Sequence, residues 1–263
     1  GMEDVFAVQD DISRHIVAAL NIALRPDQAT RAGLPPTKNL EAYDAFLQGL
    51  FYRQKPGRLN NERAIQMLEK AVETDPQFAL AHAHLAQSYI GRYFTFDPRK
   101  EWEEKAFVEI QKALSLDQNL AEAYTARGSL IWTLSNRFPH ETAIKDFRRA
   151  LQLNPNLVGA HSSLGTVYHH IGLLDRALEE LDFALRIDPN NLGASSQRAM
   201  VYLSQGRYAE VLAEWENQPG LSTYMRYAPY NKIPALDHLG RRKEALSLVA
   251  EVLKLEPEFE VAF

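Results

Sequence analysis

Apolar residues recur along this chain at spacings of three and four positions, which is the period of an amphipathic helix. One of the clearest stretches carries five of them: Ala177, Leu178, Leu181, Ala184 and Leu185. Most of the positions between them are polar, so each such helix has one face to bury. The pattern therefore predicts an all-helical chain whose helices pack side by side.

Turn-forming residues divide this pattern into pairs of helices. Glycines stand where the first helix of a pair must end, and glycine adopts the left-handed conformation of a helix C-cap without steric cost. They are Gly172, Gly206 and Gly240. Proline follows the second helix and excludes helical geometry at the residue before it, in the pairs Asp75-Pro76, Asn154-Pro155 and Asp188-Pro189. We therefore expect a series of helix–turn–helix units.

The units repeat with a period of 34 residues. Pro155 and Pro189 are 34 residues apart, and Pro257 lies twice that distance beyond Pro189. The first helices repeat a small residue three positions before a larger one, as Gly49 with Tyr52, Ala86 with Tyr89, Gly128 with Ile131, Gly165 with Tyr168 and Ala199 with Tyr202. Six units are visible, and the small residues predict that the two helices of each unit approach closely.

This period and residue order resemble the tetratricopeptide repeat, with its Leu-Gly, Tyr, Ala, Phe, Pro pattern. The resemblance covers roughly residues 40–260. It implies an all-α, right-handed superhelix, a solenoid of six helix pairs over residues 39–263. The segment 1–38 then forms one N-terminal amphipathic helix and a proline-containing linker.

The N-terminal helix carries an apolar stripe that needs a partner surface, namely Val5, Val8, Ile12 and Ile16. We expect it to cap the array or to join a second copy as a homodimer. The segment also resembles the junction between a TolB-like domain and a C-terminal repeat array in multidomain bacterial proteins, which often begin with a winged-helix or nucleotide cyclase domain. That resemblance implies a module of a larger regulatory or signalling protein.

The early units depart from the regular length. Units 1 and 3 are about three residues longer between their helices, and unit 2 is about eight longer through residues 92–98. Such insertions usually form loops on one face. We expect residues 92–98 to project as a loop, with at least one of Tyr93, Phe94 and Phe96 packed back on a helix.

The last two units are irregular. Pro219-Gly220 should shorten the second helix of unit 5, and Pro229 and Pro234 fall in the first helix of unit 6. Proline past the first turn breaks or kinks a helix, so this helix should start late, kink or leave a gap.

Composition excludes several classes of function. The net charge of −5 provides no field for a nucleic acid backbone. The absence of cysteine excludes disulfides and thiolate sites, and no apolar run approaches the roughly 20 residues of a membrane span. We expect no nucleic acid partner, no membrane insertion and a cytoplasmic location.

Candidate catalytic and metal-binding residues are few. No nucleophile elbow, HExxH motif or phosphate-binding glycine loop is present. His169 has Gly165 and Leu173 four residues away, so no second ligand shares its helix face. His82 and His161 occupy large-residue positions and should be packing residues. We predict no catalytic residue, no metal and no cofactor.

The family resemblance implies that the inward face of the first helices binds a protein or peptide segment, including an upstream domain of the same polypeptide. The repeat frame places the following residues there: Tyr43, Phe46, Arg53, Gln87, Glu122, Thr125, Ser129, Trp132, Ser162, Thr166, His169, Ser196, Met200, Tyr227, Tyr230 and Asp237. This set contains neither lysine nor asparagine, which disfavours the lysine–asparagine clamp that some relatives use for chaperone tails. For each residue the alternative is an ordinary solvated surface.

A second hypothesis for the function is a sensory domain. In it a small ligand enters the irregular seam of units 5 and 6 and changes the curvature of the solenoid. A deep closed pocket near Trp215 and Tyr227 would favour the sensor, and an open continuous groove would favour the scaffold.

Overall fold

The computed structural model describes residues 36–55, 57–133, 136–217 and 231–255. These ranges contain helices and no strand, which confirms the expected all-α class. The helices form six successive pairs: α1 (Leu40–Arg53) with α2 (Arg58–Thr74), α3 (Ala79–Thr95) with α4 (Lys100–Leu116), α5 (Ala121–Ile131) with α6 (His140–Leu153), α7 (Val158–His170) with α8 (Leu174–Ile187), α9 (Leu192–Ser204) with α10 (Tyr208–Asn217), and α11 (Lys232–His238) with α12 (Arg242–Leu255). None of the described helices combines the length and hydrophobicity needed to span a bilayer.

Small residues set the distance between the two helices of a unit. A Cβ atom on Gly165 would lie 2.8 Å from Leu181 Cγ and 3.2 Å from the carbonyl oxygen of Ala177. On Gly128 it would lie 2.7 Å from Phe147 Cε1. Real Cβ contacts are longer than this, so the first and second helices pack at a separation that requires glycine.

The turns within units 4, 5 and 6 have the predicted glycine caps. Gly172, Gly206 and Gly240 have φ values of 78°, 72° and 74°. After α7, the amide of Gly172 donates to His169 O at 3.0 Å and the amide of Leu173 donates to Tyr168 O at 2.8 Å. These bonds close the last turn of the helix and send the chain back into α8.

The second helices end at an extended residue with an Asp or Asn side chain. Asp75, Asn154 and Asp188 have φ between −138° and −129°, as expected before proline. Asp117 adopts the same conformation, with φ −141°, although Gln118 follows it. In all four turns the side-chain oxygen of this Asp or Asn accepts a hydrogen bond from the backbone amide two residues later. This Asx turn, more than the proline, is the shared feature.

The first helices form the inner layer of the array. Contacts join α1 to α3, α3 to α5, α5 to α7 and α7 to α9. Within the described ranges the second helices do not contact one another in this way, and each of α2, α4, α6, α8 and α10 contacts the next unit at its first helix. The core runs through the stack in successive clusters, centred on residues such as Phe78, Phe147, Leu181 and Trp215. The inner face of the first helices is therefore continuous from unit 1 to unit 5.

A polar contact repeats between the helices of units 2 to 5. An acidic residue stands at an equivalent position in each second helix, and a basic or imidazole side chain of the first helix binds it. The pairs are His82 with Glu109, Arg127 with Asp146, His161 with Glu180 and Arg198 with Glu214. His and Arg thus alternate along the array. The two histidines are buried, at 6% and 8% exposure, which confirms them as packing residues.

The prediction of a loop over residues 92–98 is wrong for residues 92–95, because α3 continues to Thr95. Arg92 is 6% exposed and donates to Glu62 Oε1 at 2.7 Å, which fixes the extra helical turn against α2. Tyr93 and Phe96 are partly buried while Phe94 is 49% exposed. The three aromatic side chains are therefore not all exposed, in line with the expectation, and their packing on a neighbouring helix stays a prediction.

The irregular units follow the proline signals where they are described. Helix α10 has 10 residues, fewer than any earlier second helix, and α11 starts only at Lys232. Pro234 is the third residue of α11, in the first turn, where proline is tolerated. The predicted N-terminal helix, Pro219-Gly220 and Pro229 lie outside the described residues.

Candidate functional site: the inner face of the first helices

The inner face presents most of the side chains that the repeat frame assigns to it. Asp237 is exposed, and the following predicted residues are partly exposed: Tyr43, Arg53, Gln87, Glu122, Ser129, Trp132, Ser162, Thr166, His169 and Met200. The partly exposed residues come from α1, α3, α5, α7, α9 and the turn after α5, and Asp237 lies on α11. Tyr227 and Tyr230 lie outside the described residues.

Three predicted groove residues are instead part of the core. Phe46, Thr125 and Ser196 are 3%, 5% and 7% exposed. Phe46 packs on the ring of Phe78 at 4.8 Å between centroids, and Thr125 donates its hydroxyl to Ala121 O at 3.1 Å. Because they are buried, these side chains support the surface and do not form it.

A ladder of polar side chains crosses the first helices of units 1 to 3. Arg53 donates to Gln87 Oε1 at 2.7 Å and also to Nδ1 of His84. Gln87 then donates to the backbone oxygen of Glu122 at 3.2 Å. The sequence prediction included Arg53, Gln87 and Glu122 but missed His84, whose position in the repeat was not assigned to the inward face.

Burial shifts the pKa of several groups in this ladder. Burial lowers the pKa of Arg53 to about 10, which leaves the guanidinium charged at neutral pH. Burial, and then the charge of Arg53, lower the pKa of His84 well below its ordinary value. Burial also raises the pKa of Glu122. The ladder therefore presents one cation next to a neutral imidazole and a neutral amide.

The middle of the inner face is polar and made of small side chains. Nε2 of His169 lies 2.8 Å from Ser204 Oγ, which links α7 to α9. Thr166 donates to Ser162 O at 2.9 Å within its own helix. Burial and the neighbouring His170 lower the pKa of His169. This region offers hydroxyl and neutral imidazole groups and leaves space above them.

His170 has a separate role, which the sequence pattern did not predict. Its Nδ1 lies 2.7 Å from His140 Nε2, and its ring packs at 5.3 Å from Trp132 and 4.9 Å from Phe138. Phe138 follows Arg137, and both are in the left-handed region with φ of 50° and 57°. This cluster ties the turn of unit 3 to the end of α7. Phe138 comes from a turn of irregular length, and His140 and His170 lie at helix ends. Of this cluster the repeat frame assigned only Trp132 to the inward face.

Within the described ranges, no group of three or more His, Asp or Glu side chains is arranged to hold a metal ion. His82 and His161 use both ring nitrogens in hydrogen bonds to protein atoms. These two histidines are therefore not available to a ligand.

The seam of units 5 and 6 contains an open cleft of about 310 Å³ between α10, α11 and α12. Trp215 lies in its wall, is 7% exposed and donates its indole N–H to Asn231 Oδ1 at 2.8 Å. This tryptophan packs within the core and its polar atom is satisfied. The hypothesis of a small-ligand sensor at this seam gains no support from these contacts and stays a prediction.

Comparison with known families places the repeat in part of the chain. A family model described as TPR repeat matches residues 140–172, which span α6 and α7. A curated relative named "Putative adenylate cyclase 3" of Rhizobium meliloti (strain 1021) is 36% identical over 86 residues. That match covers 33% of this chain and 15% of the relative.

Solved structures resemble most of the array. A structure from a functional characterisation of Pseudomonas aeruginosa PilF covers 84% of this chain and 95% of its own, with 25% identity and a TM-score of 0.54. PilW, described as a type IV pilus biogenesis factor, covers 84% and 96% at 19% identity and a TM-score of 0.57. A thermophilic TPR protein of Thermus thermophilus covers 78% and 98% at 21% identity and a TM-score of 0.54.

Proposed function

Since this chain belongs to the tetratricopeptide repeat family, we propose that it is a non-catalytic scaffold whose inner face binds a peptide or protein segment. The observation that carries the proposal is the polar ladder of Arg53, His84 and Gln87, which continues to Glu122 across three first helices. A surface that extends over several units fits a ligand with many contact points along its length.

The chemistry of the inner face also favours a peptide. Ser129 and Thr166 are small and partly exposed, so they leave room for a chain to lie across α5 and α7. Amide and hydroxyl groups on the face can pair with the N–H and C=O groups of a peptide backbone. The larger side chains Tyr43 and Trp132 provide apolar contact area nearby.

The chain's place in a larger protein is part of the same proposal. We infer that it is the C-terminal repeat module of a bacterial regulatory or signalling protein, acting in the cytoplasm. The partial match to the Rhizobium meliloti protein supports this, because that protein is much longer than the matched segment. The bound segment then belongs to another protein or to an upstream domain of the same polypeptide.

The experiment is a selection of random displayed peptides on the full chain, followed by fluorescence polarisation with the synthetic peptides obtained. Thr166→Arg places a long side chain on the inner face and should weaken binding at least about tenfold. Glu179→Arg, on the exposed surface of α8, is the matched control and should bind like the wild type. Circular dichroism melts confirm that both variants fold.

Two results would overturn the proposal. One is a wild-type chain that enriches no peptide over background. The other is a set of peptides that bind Thr166→Arg as tightly as the wild type, which would place the binding surface elsewhere.

A further inference from the structure

Arg53 is a partly buried cation on the inner face whose described partners are both neutral. Its two terminal nitrogens donate to His84 and Gln87, and so engage two of the five N–H donors of a guanidinium. Within the described ranges no carboxylate forms an ion pair with it. The charge of Arg53 is therefore not compensated by these residues.

Three other buried or partly buried arginines have carboxylate partners, whereas the partly exposed Arg149, on the second helix α6, bonds to the neutral side chains of Gln152 and Asn119. Arg92 pairs with Glu62, Arg127 with Asp146, and Arg198 with both Asp182 and Glu214. This matches the general rule that a cation removed from water is paired, because its hydration is otherwise lost without replacement. Arg53 departs from the rule at a position where a bound ligand would lie.

The surroundings of Arg53 hold its side chain in place. The amide of Gln87, bonded to the backbone oxygen of Glu122, fixes one side of the guanidinium. The ring of Phe46 packs at 5.4 Å from the ring of His84, which fixes the other side. A donor group that is already oriented loses little conformational freedom on binding.

Burial lowers the pKa of Arg53 to about 10 and that of His84 well below its ordinary value. His84 is thus a neutral acceptor that orients the guanidinium without balancing its charge. An anion beside Arg53 would be favoured, and a carboxylate matches the planar fork of donors.

We propose that Arg53, oriented by His84 and Gln87, binds a carboxylate of the peptide ligand, contributed by an acidic side chain or by the chain end. This inference rests on the proposed function. It requires no lysine or asparagine in the groove and so differs from the lysine–asparagine clamp that the sequence disfavours.

The test uses the full chain and two random peptide libraries, one with a free C-terminus and one in which the C-terminus is fused to the display protein. The wild type should enrich Asp or Glu at one position, or require the free end. Arg53→Gln should still select peptides but without either preference. Arg53→Lys keeps the charge without the fork and should give an intermediate preference. Arg176→Gln, an exposed arginine of α8, is the control.

Synthetic peptides then give the direct measurement. Replacing the selected Asp or Glu with its amide, or amidating the chain end, should weaken binding to the wild type at least about tenfold. The same replacement should leave binding to Arg53→Gln within about twofold. Unchanged melting curves for the variants show that the loss is one of recognition.

The outcomes separate this inference from the proposed function. Peptides that lack any acidic or chain-end preference, or amide forms that bind the wild type equally well, would overturn the role of Arg53 and leave the scaffold intact. An equal effect of Arg176→Gln would also overturn it. Selections that return no peptide would overturn both.

Discussion

The Nδ1 atom of His161 lies 2.6 Å from Oε2 of Glu180, across the two helices of unit 4. The same contact joins His82 to Glu109 in unit 2, and in both units Nε2 of the imidazole lies within hydrogen-bond distance of the carbonyl oxygen of Pro76 or Pro155. In units 3 and 5 an arginine one turn further along the first helix binds the acid instead, as Arg127 with Asp146 and Arg198 with Glu214. Each second helix in this part of the array is thus held by one acid and one partner on the first helix.

We predict that Glu180→Ala destabilises the fold by about 1–2 kcal/mol, because it leaves a buried histidine nitrogen without its partner. Glu179→Ala changes the adjacent, exposed position of α8 and should alter stability by less than about 0.5 kcal/mol. Urea unfolding followed by circular dichroism measures both. Equal losses in the two variants would show that the His161–Glu180 contact contributes nothing specific.

The stability of the chain should depend on the ionisation of Asp97, which joins α3 to α4. Hydrogen bonds from Arg99 and from the indole N–H of Trp102 hold the pKa of Asp97 well below its usual range. Because the pKa of Asp97 is lower in the folded state, its ionised form stabilises the fold at any pH above the unfolded pKa of about 3.9. This contribution is lost progressively as the pH falls from that value towards and through the folded pKa.

We therefore expect Asp97→Asn to melt at a lower temperature than the wild type at about pH 7, with a difference that shrinks towards about pH 3. Glu141→Gln, at an exposed position of α6, should follow the wild type throughout. A difference for Asp97→Asn that stays constant with pH would contradict an ionic contribution.

Two glycines of α7 provide a test of helix separation. Gly165→Ala should destabilise by about 1–3 kcal/mol, because the new Cβ meets Leu181 Cγ at 2.8 Å and the backbone oxygen of Ala177 at 3.2 Å. Gly165→Leu should cost more than about 2 kcal/mol. Gly159→Ala meets nothing nearer than Thr125 Cγ2 at 4.0 Å and should be neutral or stabilising. Thermal melts measure both variants. A lower melting temperature for Gly159→Ala than for Gly165→Ala would contradict the close packing at Gly165.

The first helix of the array exposes an apolar stripe that a terminal cap would cover. Leu40, Leu47 and Phe51 are 41%, 43% and 52% exposed and lie seven and four residues apart on α1. Solenoid ends need a polar or packed cap to stay in solution. Deleting residues 2–30, with the predicted stripe of Val5, Val8, Ile12 and Ile16, should lower the melting temperature or cause aggregation.

Analytical ultracentrifugation and thermal melts check this deletion. Leu40→Ser together with Leu47→Ser should reduce aggregation of the shortened chain if the stripe is the exposed surface responsible. A shortened chain that stays monomeric with the wild-type melting temperature would contradict the cap.

Local and periodic features of the sequence predicted the helix pairs and their turns. The small residues at Gly128 and Gly165 marked the close contacts, and the glycines after three first helices marked the C-caps. These predictions succeeded because each depends on one residue's own conformational freedom or on a spacing within one helix. The proline before each new unit was a less general signal, since Asp117 makes the same turn without it.

The tertiary structure alone decided which side chains meet. Arg53 reaches His84, His169 reaches Ser204 and His140 reaches His170, each across about 30 residues of sequence. Such contacts depend on the separation and rotation of neighbouring helices, to which many packed residues contribute together. The same packing buries Phe46 and Thr125 at positions that the repeat pattern assigned to the groove. The sequence by itself therefore determined the architecture of the array, and the packing of its first helices decided the chemistry of the surface that we propose as the binding site.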